Sequence, residues 1–170
     1  NGLLTIQNNH ARYNVVYNAT GTNLVACVID KSNLPSFEVD QQKLALMGLI
    51  LDVKTWFFAT QNLEEANYLS AILNSAIISK LIKPLQPNGL FGARAIHRRP
   101  FLLRIPKFNS KDESHLRLAD IAMMCQEKVE TIKFNQTNRI RAEARRLVKD
   151  EIKEIDSIVE SILSKSTAEE

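Results

Sequence analysis

The spacing of apolar residues changes near residue 62, and this change constrains the fold of the chain most strongly. Before it, short runs rich in β-branched and aromatic residues are separated by turn-forming residues. Residues 13–17 and 24–29 predict a β-hairpin, because residues 18–23 between them, with Gly21, supply the turn. Further strands are predicted at residues 46–51 and 54–60. The first sixty residues therefore predict a small, mixed β-sheet.

Helical signals begin at Asn62, whose side chain can cap a helix, with Glu65 placed three residues later as a capping-box partner. A mostly buried helix follows, and residues 74–75 interrupt it. A second short helix then ends before Pro84, because proline cannot continue a helix. The sequence therefore predicts two short consecutive helices after the sheet.

Residues 86–94 contain two glycines and a proline, which is typical of a structured loop, and residues 101–105 indicate one more strand. From residue 112 onward the apolar spacing is helical, with Ser110 and Glu113 as a second capping box. After a polar break at residues 135–138, apolar residues recur at heptad spacing. This seam consists of Val148, Ile152, Ile155, Val159 and Ile162.

These patterns predict an α/β chain of the α+β type in two parts. Residues 1–111 are expected to form a small mixed β-sheet body with packed helices. Residues 112–170 are expected to form a long helical C-terminal extension, either a helical hairpin or a coiled-coil-like helix. No apolar run approaches the roughly 18 residues that span a membrane, so no membrane partner is expected.

Positive charge is concentrated in one stretch of the chain, although the formal net charge is only +3. No acidic residue occurs between Glu65 and Asp112. The rest of the chain contains 14 basic residues and all 19 acidic ones. Such a segment indicates a phosphate-binding surface, with a solvated basic face that binds nothing as the alternative. The stretch contains Lys80, Lys83, Arg94, Arg98, Arg99, Arg104, Lys107 and Lys111.

The cysteines and histidines indicate no metal site. Cys27 and Cys125 lie among apolar neighbours, so buried, reduced thiols and a cytoplasmic location are expected. Two cysteines need nearby histidines to complete a tetrahedral zinc site. The histidines are instead scattered along the chain, at His10, His97 and His115.

Catalytic motifs are also missing from the sequence. The glycines at residues 89 and 92 have the wrong spacing for a nucleotide-binding loop, and no Walker, His-Glu-x-x-His or nucleophile-elbow motif occurs. His97 precedes two arginines and is a poor general base, because no carboxylate is there to orient it. Glu151 and Lys153 match part of a nuclease pattern, but they lie in a helix of alternating charge. A nuclease is therefore kept only as an alternative.

The basic segment supplies the candidate site. Arginine forks suit phosphate oxygens, and nearby glycines let the backbone approach a partner closely. Phe91 is expected to anchor the loop, whereas Trp56 could be either a core residue or an exposed stacking residue. The predicted phosphate-binding residues are Arg94, His97, Arg98 and Arg99, together with Lys54, Lys83 and Lys107.

Several spaced motifs resemble the C-terminal region of adenine-specific (N6) DNA methylases from type I and type IIG restriction-modification systems. The first two are LILDVKTWFF at residues 49–58 and NLEEANYLSAILNS at residues 62–75. The likeness covers about residues 13–120, and target-recognition domains of type I specificity subunits are similar in outline. The later motifs are IKPLQ at residues 82–86, GLFGARAIHRRP at residues 89–100, IPKF at residues 105–108 and HLRLAD at residues 115–120.

The resemblance implies a division of labour. In such enzymes an N-terminal Rossmann-like domain binds S-adenosylmethionine and carries an Asn-Pro-Pro-Tyr motif, and this sequence has no such motif. The chain starts at Asn1 and is interpreted as a fragment without a catalytic site or cofactor of its own. The expected parent enzyme methylates DNA, and restriction activity in the same enzyme is left open. Its expected partners are double-stranded DNA and the methylase domain or subunit, with self-association through the C-terminal helices also possible.

The function predicted from the resemblance is a DNA sequence-recognition module that positions a separate catalytic domain. Because the motif at residues 89–100 is shared by family members with different targets, it is expected to hold the scaffold or bind phosphate. Base reading is expected from residues 18–23, residues 31–42 or polar side chains near Lys54. A docking module that assembles the methylase complex is the main alternative.

Overall fold

An antiparallel three-stranded sheet lies at the centre of the computed structural model, which describes residues 10–46, 48–89, 92–132 and 140–168. The strand order is β2–β1–β5, with β1 at Tyr13–Asn18, β2 at Ala26–Asp30 and β5 at Thr55–Thr60. The predicted hairpin of β1 and β2 is confirmed, and so is the strand at residues 54–60. The described strands pair only in antiparallel fashion, so the expected mixed sheet is wrong.

A second hairpin consists of β3 at Ser36–Val39 and β4 at Gln42–Ala45. Its two turn residues, Asp40 and Gln41, have φ angles of 50° and 66°, as tight hairpin turns with a matching twist require. Both strands are exposed along their length.

The strand predicted at residues 46–51 is wrong, since the described residues of that stretch have no regular structure. The turn at residues 40–41 places Ala45 opposite Ser36, the first residue of β3. Pro35 comes next on that side and has no N–H to donate, so the ladder has no partner for Leu46.

The two predicted helices after the sheet are confirmed as α1, Leu63–Asn74, and α2, Ala76–Ile82. Asn62 caps α1 by accepting hydrogen bonds from Glu64 N at 2.8 Å and Glu65 N at 3.2 Å. The capping box is modified, however, because the Glu65 carboxylate accepts a hydrogen bond from the Thr60 hydroxyl. The Thr60 Oγ1 in turn accepts from Asn62 N at 3.1 Å.

The segment between α2 and the next helix is largely irregular. It contains 3-10 helices at Lys83–Leu85 and Arg99–Leu102 and the two-residue strands β6, Asn88–Gly89, and β7, Gly92–Ala93. The strand predicted at residues 101–105 is therefore wrong. Pro100 lies in the first turn of the second 3-10 helix, and Leu103 N donates to its carbonyl at 3.3 Å, so the backbone turns where the apolar run indicated extension.

Three helices make up the rest of the described chain: α3 at Glu113–Glu130, α4 at Ile140–Leu147 and α5 at Lys149–Ala168. The predicted Ser110–Glu113 capping box is wrong. Asp112 caps α3 instead, accepting from Ser114 N at 2.8 Å and His115 N at 3.3 Å, because its carboxylate stands directly before the helix. The predicted polar break at residues 135–138 lies outside the described residues.

The apolar seam of the last helices packs into the core of the same chain. Val148, Ile155, Val159 and Ile162 are buried, and α5 contacts α1, α2 and α3. The same hydrophobic cluster includes residues of the sheet such as Val15. The mixed α/β fold class is thus confirmed, while the division at residue 111 stays a prediction.

The expectation of two buried thiols is wrong for Cys27, which is exposed on β2. Cys125 is half-buried on α3. Side chains alternate between the two faces of a strand, so the buried Ala26 and Val28 place Cys27 on the opposite face. Both cysteines are free thiols. Among the described residues, no helix has the length and apolar character needed to cross a membrane.

Candidate nucleic-acid interface

The loop at residues 94–99 is fixed to the end of the central sheet through the backbone of Ala19. The carbonyl of Ala19 accepts hydrogen bonds from both Ile96 N and His97 N at 2.9 Å, and its N–H donates to Lys54 O at 2.9 Å. The Ile96 side chain is fully buried in the core. The loop is therefore anchored by the apolar side chain in its middle, between the basic residues on either side.

His97 turns the chain at the centre of this loop. Its φ angle is 43°, a left-handed conformation that histidine adopts more readily than most residues. Its carbonyl accepts a hydrogen bond from the Tyr17 hydroxyl at 2.8 Å. Burial raises the pKa of Tyr17 to about 12, so this hydroxyl remains a donor at neutral pH. The turn is thus fixed at its backbone, and the His97 side chain is exposed.

Arg98 lies over the indole of Trp56. Its guanidinium carbon is 4.9 Å from the ring centroid, the geometry of a cation–π contact. The ring of His97 approaches the same indole edge-on, with the centroids 6.5 Å apart. Trp56 is half-buried on β5, opposite Tyr17 of β1. The indole thus positions the exposed Arg98 side chain, and Trp56 proves to be partly core and partly surface.

Arg99 has a different surrounding. Its Nε donates to the carbonyl of Leu85 at 2.6 Å and its Nη1 to the carbonyl of Ile96 at 3.5 Å. The side chain therefore links the loop at residues 94–99, called the arginine loop below, to the 3-10 helix Lys83–Leu85. Arg99 is half-buried and has fewer donors left for a partner than Arg98 has.

A surface depression with a volume of about 410 Å³ lies between these groups. Within the described part of the chain, neither Arg98 nor Arg99 forms an ion pair with a carboxylate. The depression therefore has a cationic wall beside an aromatic one. Its lining residues are Trp56, Leu85, His97, Arg98, Arg99 and Leu102.

Most of the predicted phosphate-binding residues belong to this region. Arg94 is exposed, and its carbonyl accepts from Gly21 N at 2.8 Å. The exposed Lys54 is hydrogen-bonded through its carbonyl to Ala19, and the exposed Lys83 starts the 3-10 helix that Arg99 contacts.

Lys107 lies on another segment. The carbonyl of the preceding Pro106 accepts from the Tyr68 hydroxyl at 2.9 Å, and Phe108 packs against the rings of Tyr68 and His115. These contacts hold the segment on α1 and α3. The expected anchor Phe91 lies outside the described residues.

Arg145 of α4 also belongs to this region, although it is not among the residues predicted from the sequence. When the Asn23 amide is oriented to satisfy its hydrogen-bond neighbours, its oxygen accepts from Arg145 Nη2 at 2.8 Å. Asn23 belongs to the turn between β1 and β2, and that turn also contacts the arginine loop. The signal was the local composition of α4, IRAEARRL, which the acidic surroundings of the C-terminal region obscured.

The residues of the nuclease alternative lie in a separate place, on α5. Glu151 pairs with Lys128 of α3, which lowers the pKa of the Glu151 carboxyl through a direct hydrogen bond. Lys153 pairs with Asp150 at 2.8 Å. Among the described residues, no group of three or more potential metal ligands is present.

The arrangement near Trp56 is suited to a polyanion. Arginine donates to phosphate oxygens, and the indole offers an aromatic surface beside them. Comparisons with known proteins gave no matching family model, no matching curated protein and no matching solved structure.

Proposed function

We propose that this chain is the DNA sequence-recognition module of a modular adenine-N6 DNA methyltransferase or restriction-modification enzyme. It binds duplex DNA and thereby positions a separate catalytic domain. The observation that carries the proposal is the fixed loop at residues 94–99, which holds Arg98 on Trp56 without a carboxylate partner among the described residues. The resemblance of residues 13–120 to the methylase C-terminal region supplies the enzyme class.

The roles of the basic residues follow from their surroundings. Arg98, His97 and Lys54 contact phosphates, because they are exposed around one end of the sheet. The exposed Lys83 adds a contact from the 3-10 helix to which Arg99 is hydrogen-bonded. Arg99 mainly positions the loop, since carbonyl oxygens already accept from its guanidinium. Phosphate contacts of this kind fix the orientation of a protein on the duplex and carry no sequence information.

The remaining parts of the proposal concern the parent enzyme. Binding of S-adenosylmethionine and methyl transfer belong to the catalytic domain or subunit, and the setting is cytoplasmic. The apolar seam of α5 is committed to the core, so docking or self-association uses the outward faces of α4 and α5. Those faces are rich in charged residues, as coiled-coil flanks often are.

A salt titration of duplex binding tests the proposal. With about four phosphate contacts, the plot of log affinity against log salt has a slope near −3.6. Arg98→Gln makes this slope less steep by about 0.9, because one phosphate contact is lost. Lys153→Gln is the matched control: it removes one positive charge from the exposed surface of α5 and leaves the slope unchanged.

A slope near zero for the unmodified chain contradicts the proposal. Docking onto the methylase domain is then the better function, and one observation favours it: Leu85 and Leu102 are 44% and 69% exposed beside the arginines. The nuclease alternative requires magnesium-dependent DNA cleavage by this chain that Glu151→Gln abolishes.

A further inference from the structure

The turn between β1 and β2 is held in one conformation by the side chain of Asn18. Its Nδ2 donates to the carbonyls of Thr20 at 2.9 Å and Asn23 at 3.0 Å. Its Oδ1 accepts from Val25 N at 2.9 Å. One amide therefore satisfies three backbone groups of the turn, which keeps the loop rigid without any regular structure.

Gly21 at the tip of the turn cannot carry a side chain without disturbing this arrangement. Its φ angle is 152°, and a Cβ atom built there would lie 2.7 Å from Asn18 Nδ2. The backbone of the turn thus approaches the Asn18 amide more closely than any residue other than glycine permits.

Two distant parts of the sequence contact this turn. The arginine loop does so through its backbone: Gly21 N donates to Arg94 O at 2.8 Å, and Thr20 forms a β-bridge with Ala95. Helix α4 does so through a side chain, because Arg145 donates to the Asn23 side chain. The turn therefore contacts both the arginine loop and the basic helix α4.

Thr20 and Thr22 are the exposed polar side chains of the turn, and the apolar Val25 at its end is exposed as well. No described residue forms a hydrogen bond with either hydroxyl, so both can donate to and accept from a partner. Each also has a methyl group. A hydroxyl suits the polar edge of any base, and the methyl suits the C5-methyl of thymine.

We propose that the β1–β2 turn is the base-reading element of the DNA interface, with Thr20 and Thr22 as its contact residues. Arg145, which contacts the same turn from α4, supplies a further phosphate contact. The inference rests on the proposed function. The turn forms the end of the β1–β2 hairpin, and the end of a hairpin can enter the major groove, where base edges are read. Cations beside the turn would meet the phosphates that border the groove.

Selection from a duplex library with a randomised core is the first step of the test. The preferred duplex and a scrambled one are then compared by fluorescence anisotropy across a salt series. The double variant Thr20→Val and Thr22→Val keeps the side-chain shape and removes both hydroxyls. We expect the preference to fall by about 5- to 150-fold for each base pair that is no longer read, with the salt slope unchanged.

Arg145→Gln is expected to give the opposite result. It makes the salt slope less steep by about 0.9 and keeps the preference between the two duplexes. Lys153→Gln, which removes a positive charge elsewhere on the helical surface, changes neither quantity. Circular dichroism melting of every variant verifies that each still folds.

Three results would overturn the inference, and they are distinguishable. An unchanged preference in the double threonine variant means that other residues read the bases, and the proposed function stands. Steep salt dependence without any preference in the unmodified chain leaves duplex binding in place, but it removes the inference together with the sequence-recognition part of the proposed function. Absence of salt-dependent duplex binding, or displacement of duplex by single-stranded RNA of equal charge, removes the proposed function together with it.

Discussion

Replacing Tyr17 by phenylalanine tests how much the arginine loop depends on a backbone contact, because the substitution leaves the charges of the loop unchanged. The substitution keeps the buried ring, including its edge contact with Phe101 at 5.9 Å between centroids, and removes only the hydroxyl that donates to His97 O. A hydrogen bond of this kind contributes about 0.5–1.5 kcal/mol net. We therefore expect the free energy of unfolding to fall by about 1 kcal/mol.

The effect on binding is expected to differ from that of an arginine variant. The loop loses a contact that fixes the left-handed turn at His97, so duplex affinity falls by less than about tenfold, the equivalent of 1.4 kcal/mol. The salt slope stays the same because no cation is removed. Urea denaturation and anisotropy titrations measure the two quantities.

Tyr13→Phe is the matched control. Tyr13 lies on the same strand with a buried ring, at the end of the sheet away from Trp56. It should leave duplex binding unchanged. Equal effects of the two substitutions, or a changed salt slope in Tyr17→Phe, would refute the idea that Tyr17 acts by holding the turn.

The same hydroxyl makes stability depend on alkaline pH. Burial raises the pKa of Tyr17 to about 12, above its unfolded value near 10. The folded state favours the neutral phenol. The stability that this preference provides is fully present below pH 10 and is lost as the pH rises towards 12. Tyr17→Phe should remove this part of the pH dependence of unfolding.

Other substitutions test the fold in independent ways. Asp156 accepts hydrogen bonds from Ser75 Oγ at 2.7 Å and from Ala76 N at 2.8 Å. Asp156→Ala should therefore lower the free energy of unfolding, measured by thermal denaturation, by about 1–2 kcal/mol, and Asp156→Asn should restore part of it. The Ile155 side chain is only 1% exposed, so Ile155→Ala should lower the free energy of unfolding, measured by urea denaturation, by about 2–5 kcal/mol. A decrease below about 1 kcal/mol would mean that α5 is not part of the core. The hydrogen bonds from Arg12 lower the pKa of Asp30, so their stabilisation is present above about pH 4 and disappears on further acidification. Asp30→Asn should make the free energy of unfolding less dependent on pH across that acidic range.

Local sequence patterns predicted those elements whose determinants are near each other in the chain. The β1–β2 hairpin has its strands and its turn within one short stretch, and the break between α1 and α2 is marked by Ser75, which caps α2. The charge of residues 94–99 was likewise visible as a lack of acidic residues. Each of these signals depends on neighbours within a few positions.

The wrong or missing predictions concern segments whose structure depends on contacts with residues far away in the sequence. Residues 101–105 have the composition of a strand, but Pro100 and the anchored loop turn them into a 3-10 helix and an irregular segment. Short apolar runs cannot distinguish these states by themselves. Arg145 was missed for the same reason, since its contact with Asn23 depends on where α4 packs.

The burial of the α5 seam has a consequence for biosynthesis. Ile155, Val159 and Ile162 complete a cluster that contains Val15 and Ile72, so a ribosome must release nearly the whole sequence before the apolar side chains of the sheet and first helices are covered. Until then the nascent chain exposes the surface on which these late residues will pack. Slow translation of the C-terminal region would therefore prolong a state that chaperones bind and that is prone to aggregate.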